Sequence, residues 1–157
     1  MNKKNIKLFL TDCDGCLTDG GMYYTENGDE YKKFNTLDGM GFQLLREHGI
    51  LTGIITGEDT KIVERRAEKL KVDFLRQGIK DKLCVIQEIC KEKHIDMAEV
   101  AYVGDDINDL DAIKAVGVGC SVNNALEKIK LVSKYVSLKN GGSGAVREII
   151  DWILELD

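Results

Sequence analysis

Two aspartates two positions apart, Asp12 and Asp14, follow a short apolar run at residues 6–10. A run of this length that stops at polar residues predicts a buried strand ending in a turn. Gly15 follows at once and indicates that the chain turns here, which would place both carboxylates around one point. Like charges this close are unfavourable unless a cation or a proton lies between them. The alternative is a polar strand end with two solvated acids.

Polar side chains also follow two later apolar runs. Thr56 comes directly after residues 50–55, and an acidic segment at residues 104–109 comes after residues 100–103. In open α/β folds, ligands bind at the edge where the carboxyl ends of parallel strands meet. We therefore expect these groups to converge with the first two aspartates, and Lys82, at the start of a predicted helix, to reach the same place.

A cluster of carboxylates is held together most easily by a hard cation. Mg²⁺ takes oxygen ligands and usually keeps several waters, so a phosphate can complete its coordination shell. Lys82 and the Thr56 hydroxyl would supply a counter-charge and a hydrogen-bond donor for that phosphate. Asp12 could then attack phosphorus to form an aspartyl-phosphate, while Asp14 protonates the leaving alkoxide and later deprotonates water. These residue types therefore predict magnesium-dependent phosphate-ester chemistry.

Strands and helices alternate along the chain, and the main strands lack the polar alternation of a half-exposed sheet. This pattern predicts an α/β fold, an open doubly wound parallel sheet. Asn27-Gly28 between aromatic runs predicts a β-hairpin inserted at about residues 20–35. Because an isolated two-stranded ribbon cannot bury its aromatics, we expect the hairpin to pack on another subunit. A polar loop is expected at residues 35–39, with helices at residues 40–48, 61–70, 110–115 and 125–131.

Composition bounds the class of protein. A chain of 157 residues suits a single domain, residues 1–157. The net charge of −5 argues against a nucleic-acid partner. The sequence contains no signal-peptide pattern and no apolar run long enough to cross a membrane, so we expect a cytoplasmic protein without a membrane partner. The five cysteines are expected to be free thiols, and Cys13-x-x-Cys16 lacks the second pair that a zinc site needs.

Four segments resemble, in order, the motifs of the haloacid dehalogenase superfamily: Asp12-Cys13-Asp14-Gly15, the strand-terminal Thr56, Lys82, and Gly104-Asp105-Asp106-Ile107-Asn108-Asp109. Within the superfamily, the chain is similar to the capless group that contains 3-deoxy-D-manno-octulosonate 8-phosphate phosphatase and its nonulosonate 9-phosphate relatives. The resemblance covers residues 6–150, and it includes a hairpin in place of a cap domain.

The resemblance implies a role for each motif residue. Asp12 would be the nucleophile and Asp14 the acid/base, while Thr56 and Lys82 would bind the phosphoryl group. Mg²⁺ would be held by Asp12, the Asp14 carbonyl and Asp105. The resemblance also implies a homotetramer in which a neighbour's hairpin and C-terminal region help to close the site. The candidate substrate-binding residues are Asn35, Thr36, Asp38, Gly39, Glu58, Arg66, Lys69 and Asn108, with Arg66 the candidate for the carboxylate of a sugar acid.

One position departs from the octulosonate enzymes. In those enzymes the residues that follow the second strand resemble Thr-Gly-Arg, whereas this chain has Thr56-Gly57-Glu58. A glutamate would accept hydrogen bonds from hydroxyls and repel a carboxylate brought close. This departure favours a longer, hydroxyl-rich acid, 2-keto-3-deoxynononate 9-phosphate, with the octulosonate 8-phosphate and N-acetylneuraminate 9-phosphate as alternatives.

Two further classes of function remain open from the residues. A signalling receiver domain also uses a doubly wound sheet with acids, a Thr and a Lys, although it would place its phosphorylated Asp at a later strand end. A catalytically silent assembly domain would keep the fold to build oligomers. For Arg65 and Arg66, an ordinary solvated helix face is the alternative to substrate binding.

Overall fold

The computed structural model describes residues 5–156 of the chain. The strands are β1 (Leu8–Thr11), β2 (Tyr23–Tyr24), β3 (Glu30–Tyr31), β4 (Leu51–Ile55), β5 (Phe74–Arg76), β6 (Val100–Gly104), β7 (Val118–Ser121) and β8 (Tyr135–Val136). The helices are α1 (Thr36–Glu47), α2 (Lys61–Leu70), α3 (Lys82–Lys93), α4 (Leu110–Ala115), α5 (Glu127–Lys130) and α6 (Ala145–Leu154). The sequence analysis expects no signal peptide at the start of the chain. Residues 1–4, which belong to that segment, lie outside the residues that the structure describes.

Strand β1 lies at the centre of a parallel sheet with the order β5-β4-β1-β6-β7-β8. Leu8 pairs with Leu51 of β4 on one side and with Val100 of β6 on the other. The chain builds outward from β1 through β4 and β5, and then crosses to β6 and continues through β7 and β8. The order therefore reverses between β1 and β6, and ligands of such sheets bind at the carboxyl ends beside this point.

The residues of β1 explain why the sheet is covered on both faces. Successive side chains of a strand point to opposite faces, and yet Leu8, Phe9, Leu10 and Thr11 are all fully buried. Helix α1 packs against α6 and α2, whereas α3 packs against α4. The predicted doubly wound α/β fold is confirmed.

The predicted boundaries agree with the structure for α2 and differ from it for α1. Helix α2 spans Lys61–Leu70 as predicted, and the Thr60 side chain caps it by accepting a hydrogen bond from the Val63 N–H. Helix α1 begins at Thr36, earlier than the predicted residue 40, because the Asn35 side chain accepts a hydrogen bond from the Leu37 N–H and starts the helix there. Residues 36–39 are therefore the first turn of α1 and not a polar loop.

The predicted hairpin is present between β1 and α1. Tyr23 pairs with Tyr31 across strands of two residues each, and the bridge between Thr18 and Phe34 closes its base. Met22, Tyr24 and Tyr31 are each more than half exposed. Within residues 5–156 no helix has the length and apolar character needed to cross a membrane.

Candidate active site

Asp12 is the first residue after β1, and the sheet fixes its position. Its backbone N–H donates to the Val103 carbonyl of β6 at 2.9 Å, which continues the ladder by one step. Its Oδ1 accepts a hydrogen bond from the Cys13 N–H at 2.6 Å, and its Oδ2 lies 2.9 Å from Lys82 Nζ. Asp12 is 6% exposed, and burial raises its pKa to about 7 despite the opposing effect of Lys82. The side chain is thus held in one orientation at the centre of the sheet edge.

Lys82 is a buried cation between two carboxylates. Besides Asp12, its Nζ contacts Asp109 Oδ1 at 2.7 Å, and its side chain is 0% exposed. Burial opposes the charge, but Asp12 and Asp109 outweigh it and raise the pKa of Lys82. Lys82 is the first residue of α3, where Asp81 caps the helix by accepting from the Cys84 N–H. The helix start therefore delivers the ammonium to Asp12, as the sequence predicted.

Asp109 orients Lys82 and has no remaining oxygen for another role. Its Oδ1 accepts hydrogen bonds from Lys82 and from the Tyr102 hydroxyl at 2.5 Å. Its Oδ2 accepts from the backbone N–H groups of Asp105 and Asp106 at 3.0 and 3.2 Å. Tyr102 is fully buried in β6, and the sequence analysis gave it no role. Only the tertiary fold reveals that its hydroxyl meets this carboxylate.

The acids at this sheet edge fit a divalent cation. Carboxylate oxygens of Asp12, Asp105 and Asp109 all lie within 4.8 Å of one another. Burial and the neighbouring charges of Asp12 and Asp109 raise the pKa of Asp105 to about 7, the signature of acids that lack compensating positive charge. Each Asp109 oxygen already accepts two hydrogen bonds within the protein, whereas each Asp12 oxygen has one partner, so Asp12 and Asp105 are the carboxylates best able to bind a metal. Hard oxygen donors in an acidic cavity suit Mg²⁺.

Gly15 is required beside this cluster. A Cβ at position 15 would lie 2.0 Å from Asp105 Oδ2, and the backbone there has φ +83°, which favours glycine. The turn that the sequence predicted after Asp14 therefore also makes room for the Asp105 carboxylate. Next to it, a Cβ on Gly141 would lie 1.8 Å from the Gly15 carbonyl oxygen, so the glycine-rich turn before α6 packs directly on this loop.

Asp14 enters the same cavity from another side. The cavity has a volume of about 260 Å³, and its lining residues are Asp12, Asp14, Gly15, Gly20, Asp105, Asp106 and Asn108. The Asp14 carboxylate accepts hydrogen bonds from Lys32 Nζ at 2.8 Å and from the Thr18 hydroxyl at 3.3 Å. Its side chain is 33% exposed, so it faces the solvent side of the cavity. The two aspartates thus share one cavity with different partners.

Lys32 is a charged residue of this site that sequence reasoning missed. Its side chain is 3% exposed, and its Nζ lies 2.8 Å from Asp14 and 2.7 Å from Glu58. The neighbouring Lys33 has a side chain that is 59% exposed. Nothing in the sequence distinguishes these two lysines of the hairpin, because the difference arises from how the hairpin lies on the sheet edge.

Glu58 and Thr56 follow β4, the strand beside β1. Thr56 is 1% exposed, and its hydroxyl oxygen accepts a hydrogen bond from the Glu58 N–H at 3.4 Å. The Glu58 side chain is 42% exposed and turns towards Lys32. Both residues therefore stand at the carboxyl end of the strand beside β1, which is where the sequence analysis expected Thr56.

A second cavity of about 320 Å³ adjoins Lys32 and carries positive charge. The residues that line it are Lys32, Phe34, Ile62, Arg65, Arg66 and Lys69. Arg66 is held in place, since its Nη2 donates to the Asn35 carbonyl at 2.8 Å and its guanidinium lies 5.1 Å from the centre of the Phe34 ring. Arg66 is therefore partly buried and held in place, whereas Arg65 is exposed, as in an ordinary solvated helix face.

The candidate substrate-binding residues at the start of α1 differ in burial and in hydrogen bonding. Asp38 is fully buried, and its Oδ1 accepts a hydrogen bond from the Arg147 N–H at 2.9 Å, which caps the start of α6. Burial raises the pKa of Asp38 to about 6. Its Oδ2 has no hydrogen-bond partner among residues 5–156. In this conformation Asp38 binds the backbone of α6 and is not exposed to solvent, so its contact with a substrate stays a prediction. Asn35 caps α1, whereas Thr36 is exposed.

Nearly the whole chain is similar in sequence to known phosphatases. A family model described as haloacid dehalogenase-like hydrolase matches residues 59–150. The 3-deoxy-D-manno-octulosonate 8-phosphate phosphatase of Yersinia pestis is 39% identical over 150 residues, which are 96% of this chain and 80% of that protein. The corresponding protein of Haemophilus influenzae is 35% identical over 97% of this chain and 84% of its own length.

Two solved structures are closely similar to this chain. The phosphatase of the same name from Moraxella catarrhalis, crystallised with magnesium, phosphate and KDO, has a TM-score of 0.95 at 42% identity and covers 99% of this chain and 90% of its own. A cobalt-bound octulosonate 8-phosphate phosphatase from Haemophilus influenzae has a TM-score of 0.94 at 34% identity, with 99% and 91% covered.

Proposed function

Since this chain belongs to the haloacid dehalogenase-like hydrolases, in the group of the 3-deoxy-D-manno-octulosonate 8-phosphate phosphatases, we propose that it dephosphorylates 2-keto-3-deoxynononate 9-phosphate. It is a phosphoric monoester hydrolase that acts on a sugar-acid phosphate, and its cofactor is Mg²⁺. Membership of a hydrolase family, with Asp12, Asp14, Lys82 and Asp105 all present, goes against a receiver or a silent assembly domain.

Two neighbouring cavities suit a substrate with two anionic ends: Asp14 lines the first, and Lys32, which contacts Asp14, lines the second. The phosphate belongs beside Asp12, where Lys82 and Thr56 supply positive charge and a donor. The carboxylate of the sugar acid belongs in the basic cavity of Arg65, Arg66 and Lys69. A neutral sugar phosphate would leave that second set of cations unpaired, which is why we favour an acid.

Glu58 is the observation that carries the nine-carbon assignment. Its Oε2 lies 2.7 Å from Nζ of Lys32, which lines the basic cavity and also contacts Asp14 of the catalytic cavity. A carboxylate here accepts hydrogen bonds from the hydroxyls of a long chain, whereas an arginine would donate them. The octulosonate 8-phosphate is the second candidate, because the named relatives act on it. N-acetylneuraminate 9-phosphate is the third.

The reaction follows from the partners of each acid. Asp12 forms a bond to phosphorus as the phosphorus–oxygen bond to the sugar breaks, and Asp14 gives its proton to the leaving alkoxide. Asp14 then removes a proton from water, whose oxygen attacks phosphorus and frees Asp12 and inorganic phosphate. Lys82 and Thr56 hold the phosphoryl oxygens through both steps. When bound by Asp12, the Asp14 carbonyl and Asp105, Mg²⁺ offsets negative charge on the phosphate.

A steady-state comparison across the three keto-acid phosphates tests the assignment. We expect the highest kcat/KM for 2-keto-3-deoxynononate 9-phosphate, and an equal or higher value for the octulosonate 8-phosphate would refute it. Phosphate esters of neutral sugars of similar length are the control. They should be poorer substrates through a raised KM, because they cannot pair with the basic cavity.

We also propose that the protein is a homotetramer in which a neighbour's hairpin helps to close the site. Supporting this, Met22, Tyr23, Tyr24 and Tyr31 present apolar surface on the exposed hairpin. Light scattering on the purified protein and on a Tyr24→Glu/Tyr31→Glu variant tests it. We expect a fourfold mass for the wild type and a smaller one for the variant. A monomeric wild type would contradict the proposal.

A further inference from the structure

Lys32 is a buried cation on an otherwise exposed hairpin. Its side chain is 3% exposed, while Tyr31 before it is 58% exposed and the side chain of Lys33 after it is 59% exposed. Removing an ammonium from water is unfavourable unless it is paired and hydrogen-bonded. The fold therefore places this one side chain of the hairpin inward against a specific set of partners.

The partners of Lys32 are three carboxylates. Its Nζ lies 2.8 Å from Asp14 Oδ1, 2.7 Å from Glu58 Oε2 and 3.7 Å from Glu30 Oε1. The first two distances are those of charge-assisted hydrogen bonds. The ammonium is therefore charged and fixed, and it also fixes the two carboxylates.

These two carboxylates belong to different ends of the site. Asp14 lines the cavity that holds Asp12 and Asp105, and Glu58 stands beside the basic cavity that Lys32 itself lines. The chain reaches them from different elements, since Asp14 follows β1, Glu58 follows β4 and Lys32 follows β3. Among residues 5–156, Lys32 is the side chain that hydrogen-bonds to both of them.

We propose that Lys32 is a positioning residue that couples the two ends of the active site, by holding the Asp14 carboxylate for proton transfer and by pairing with Glu58 where the sugar binds. This inference rests on the proposed function, in which Asp14 transfers the proton and Glu58 lies at the sugar end of the site. It also means that Glu58 affects substrate specificity together with Lys32, because the two side chains form an ion pair. Without Lys32, Asp14 loses its orientation and Glu58 becomes an unpaired anion in the path of an anionic substrate.

Because Asp14 is the proposed acid, a positioning role of Lys32 and a merely structural role predict different effects on two kinds of phosphate ester. An alkyl phosphate has a strongly basic leaving group and needs a proton from the enzyme, whereas nitrophenyl phosphate has a weakly basic one and needs it little. Loss of Asp14 positioning should therefore lower kcat/KM for the alkyl ester much more than for the aryl ester. General unfolding or loss of the phosphate site would lower both equally.

The experiment compares Lys32→Met, Lys32→Gln and Lys32→Arg with Lys33→Met, the exposed neighbour, as the matched control. For Lys32→Met and Lys32→Gln we expect kcat/KM for an alkyl phosphate to fall at least tenfold more than for nitrophenyl phosphate. Lys32→Arg should recover most of the loss, and Lys33→Met should stay within twofold of the wild type. Equal losses for both esters, or no recovery with arginine in a folded protein, would overturn the proposal. Because Lys32→Gln keeps a polar group, a folding failure of Lys32→Met leaves the comparison intact.

The sugar end is tested by a double-mutant cycle with Glu58→Gln. If Lys32 and Glu58 act as a pair, the effect of Glu58→Gln on KM for the preferred sugar-acid phosphate should be at least threefold smaller in the Lys32→Met background. Additive effects would refute the pairing. The ester comparison stands even if the nine-carbon assignment fails, since neither simple ester reaches Glu58.

Discussion

The carboxylate of Asp109 lies 2.7 Å from the ammonium of Lys82, and neither side chain is exposed to solvent. This contact joins the acidic segment after β6 to the start of α3. It fixes the ammonium that also contacts Asp12, so the position of the proposed nucleophile depends on a residue that never meets the substrate.

Asp109→Asn should therefore weaken catalysis through Lys82. The amide offers one acceptor oxygen where the carboxylate offered two charged ones, so Lys82 and the Asp105 N–H would compete for it. We expect kcat to fall by roughly 10–100-fold with a smaller change in KM. Steady-state kinetics check this, with the exposed Asp111→Asn as the control. If kcat stays at the wild-type value, Asp109 does not orient Lys82.

Asp12→Asn should abolish magnesium-dependent phosphate release while the protein remains folded. An amide cannot act as the nucleophile, and we expect a loss of roughly 10⁴-fold or more in kcat. Phosphate release measured beside circular dichroism would separate chemistry from folding. Retained turnover in a folded variant would mean that Asp12 does not attack phosphorus.

Asp105→Asn tests whether repulsion among the acids is relieved by the metal. Burial raises the pKa values of Asp12 and Asp105 to about 7, so at pH 8 both are ionised at a cost in stability. We expect the metal-free variant at pH 8 to unfold at a temperature about 2–4 °C above the metal-free wild type. Mg²⁺ should raise the unfolding temperature of the wild type and leave that of the variant nearly unchanged. A variant that keeps the full magnesium shift would place the metal elsewhere.

Glu58→Arg should change the substrate ranking. The variant puts a donor where the wild type has an acceptor, and it adds a second cation beside Lys32. We expect the ratio of kcat/KM between the octulosonate and nonulosonate phosphates to rise about tenfold, equivalent to roughly 1.4 kcal/mol. Asp59→Arg, an exposed change next to it, controls for net charge. Identical rankings in wild type and variant would show that Glu58 does not set specificity.

Asp38→Asn should make stability less dependent on pH. Burial raises the pKa of Asp38 from 3.8 to about 6, so its contribution to stability is fully present below about pH 4 and is lost as the pH rises through 6. The loss amounts to about 3 kcal/mol, at about 1.4 kcal/mol per pKa unit.

The amide can still accept the hydrogen bond from the Arg147 N–H, and it cannot ionise. Chemical denaturation between pH 4 and pH 8 should therefore show a shallower decline for Asp38→Asn, with the exposed Asp29→Asn following the wild type. A decline as steep as that of the wild type would mean that another group causes it.

Local sequence patterns were enough to predict many of the strands and helices and the fold class. The apolar run before Asp12 and the pattern that predicts a helix at residues 61–70 depend on neighbours in sequence, and β1 and α2 were located from them. The parallel arrangement of the sheet also followed from the alternation of strands and helices, and it brings the carboxyl ends of the strands to one edge. The convergence of Asp12, Lys82 and Asp105 at that edge was predictable for this reason.

The amino-acid sequence by itself determined the elements, the fold class and the set of acids and the lysine at the sheet edge, since these depend on periodicity, on turn residues and on spacing. Only the tertiary structure decided that Lys32 is buried while Lys33 is exposed, that Asp38 caps α6, and that the Tyr102 hydroxyl donates to Asp109. These contacts join residues that are distant in sequence, and burial changes the charge state of each group only after the chain has packed.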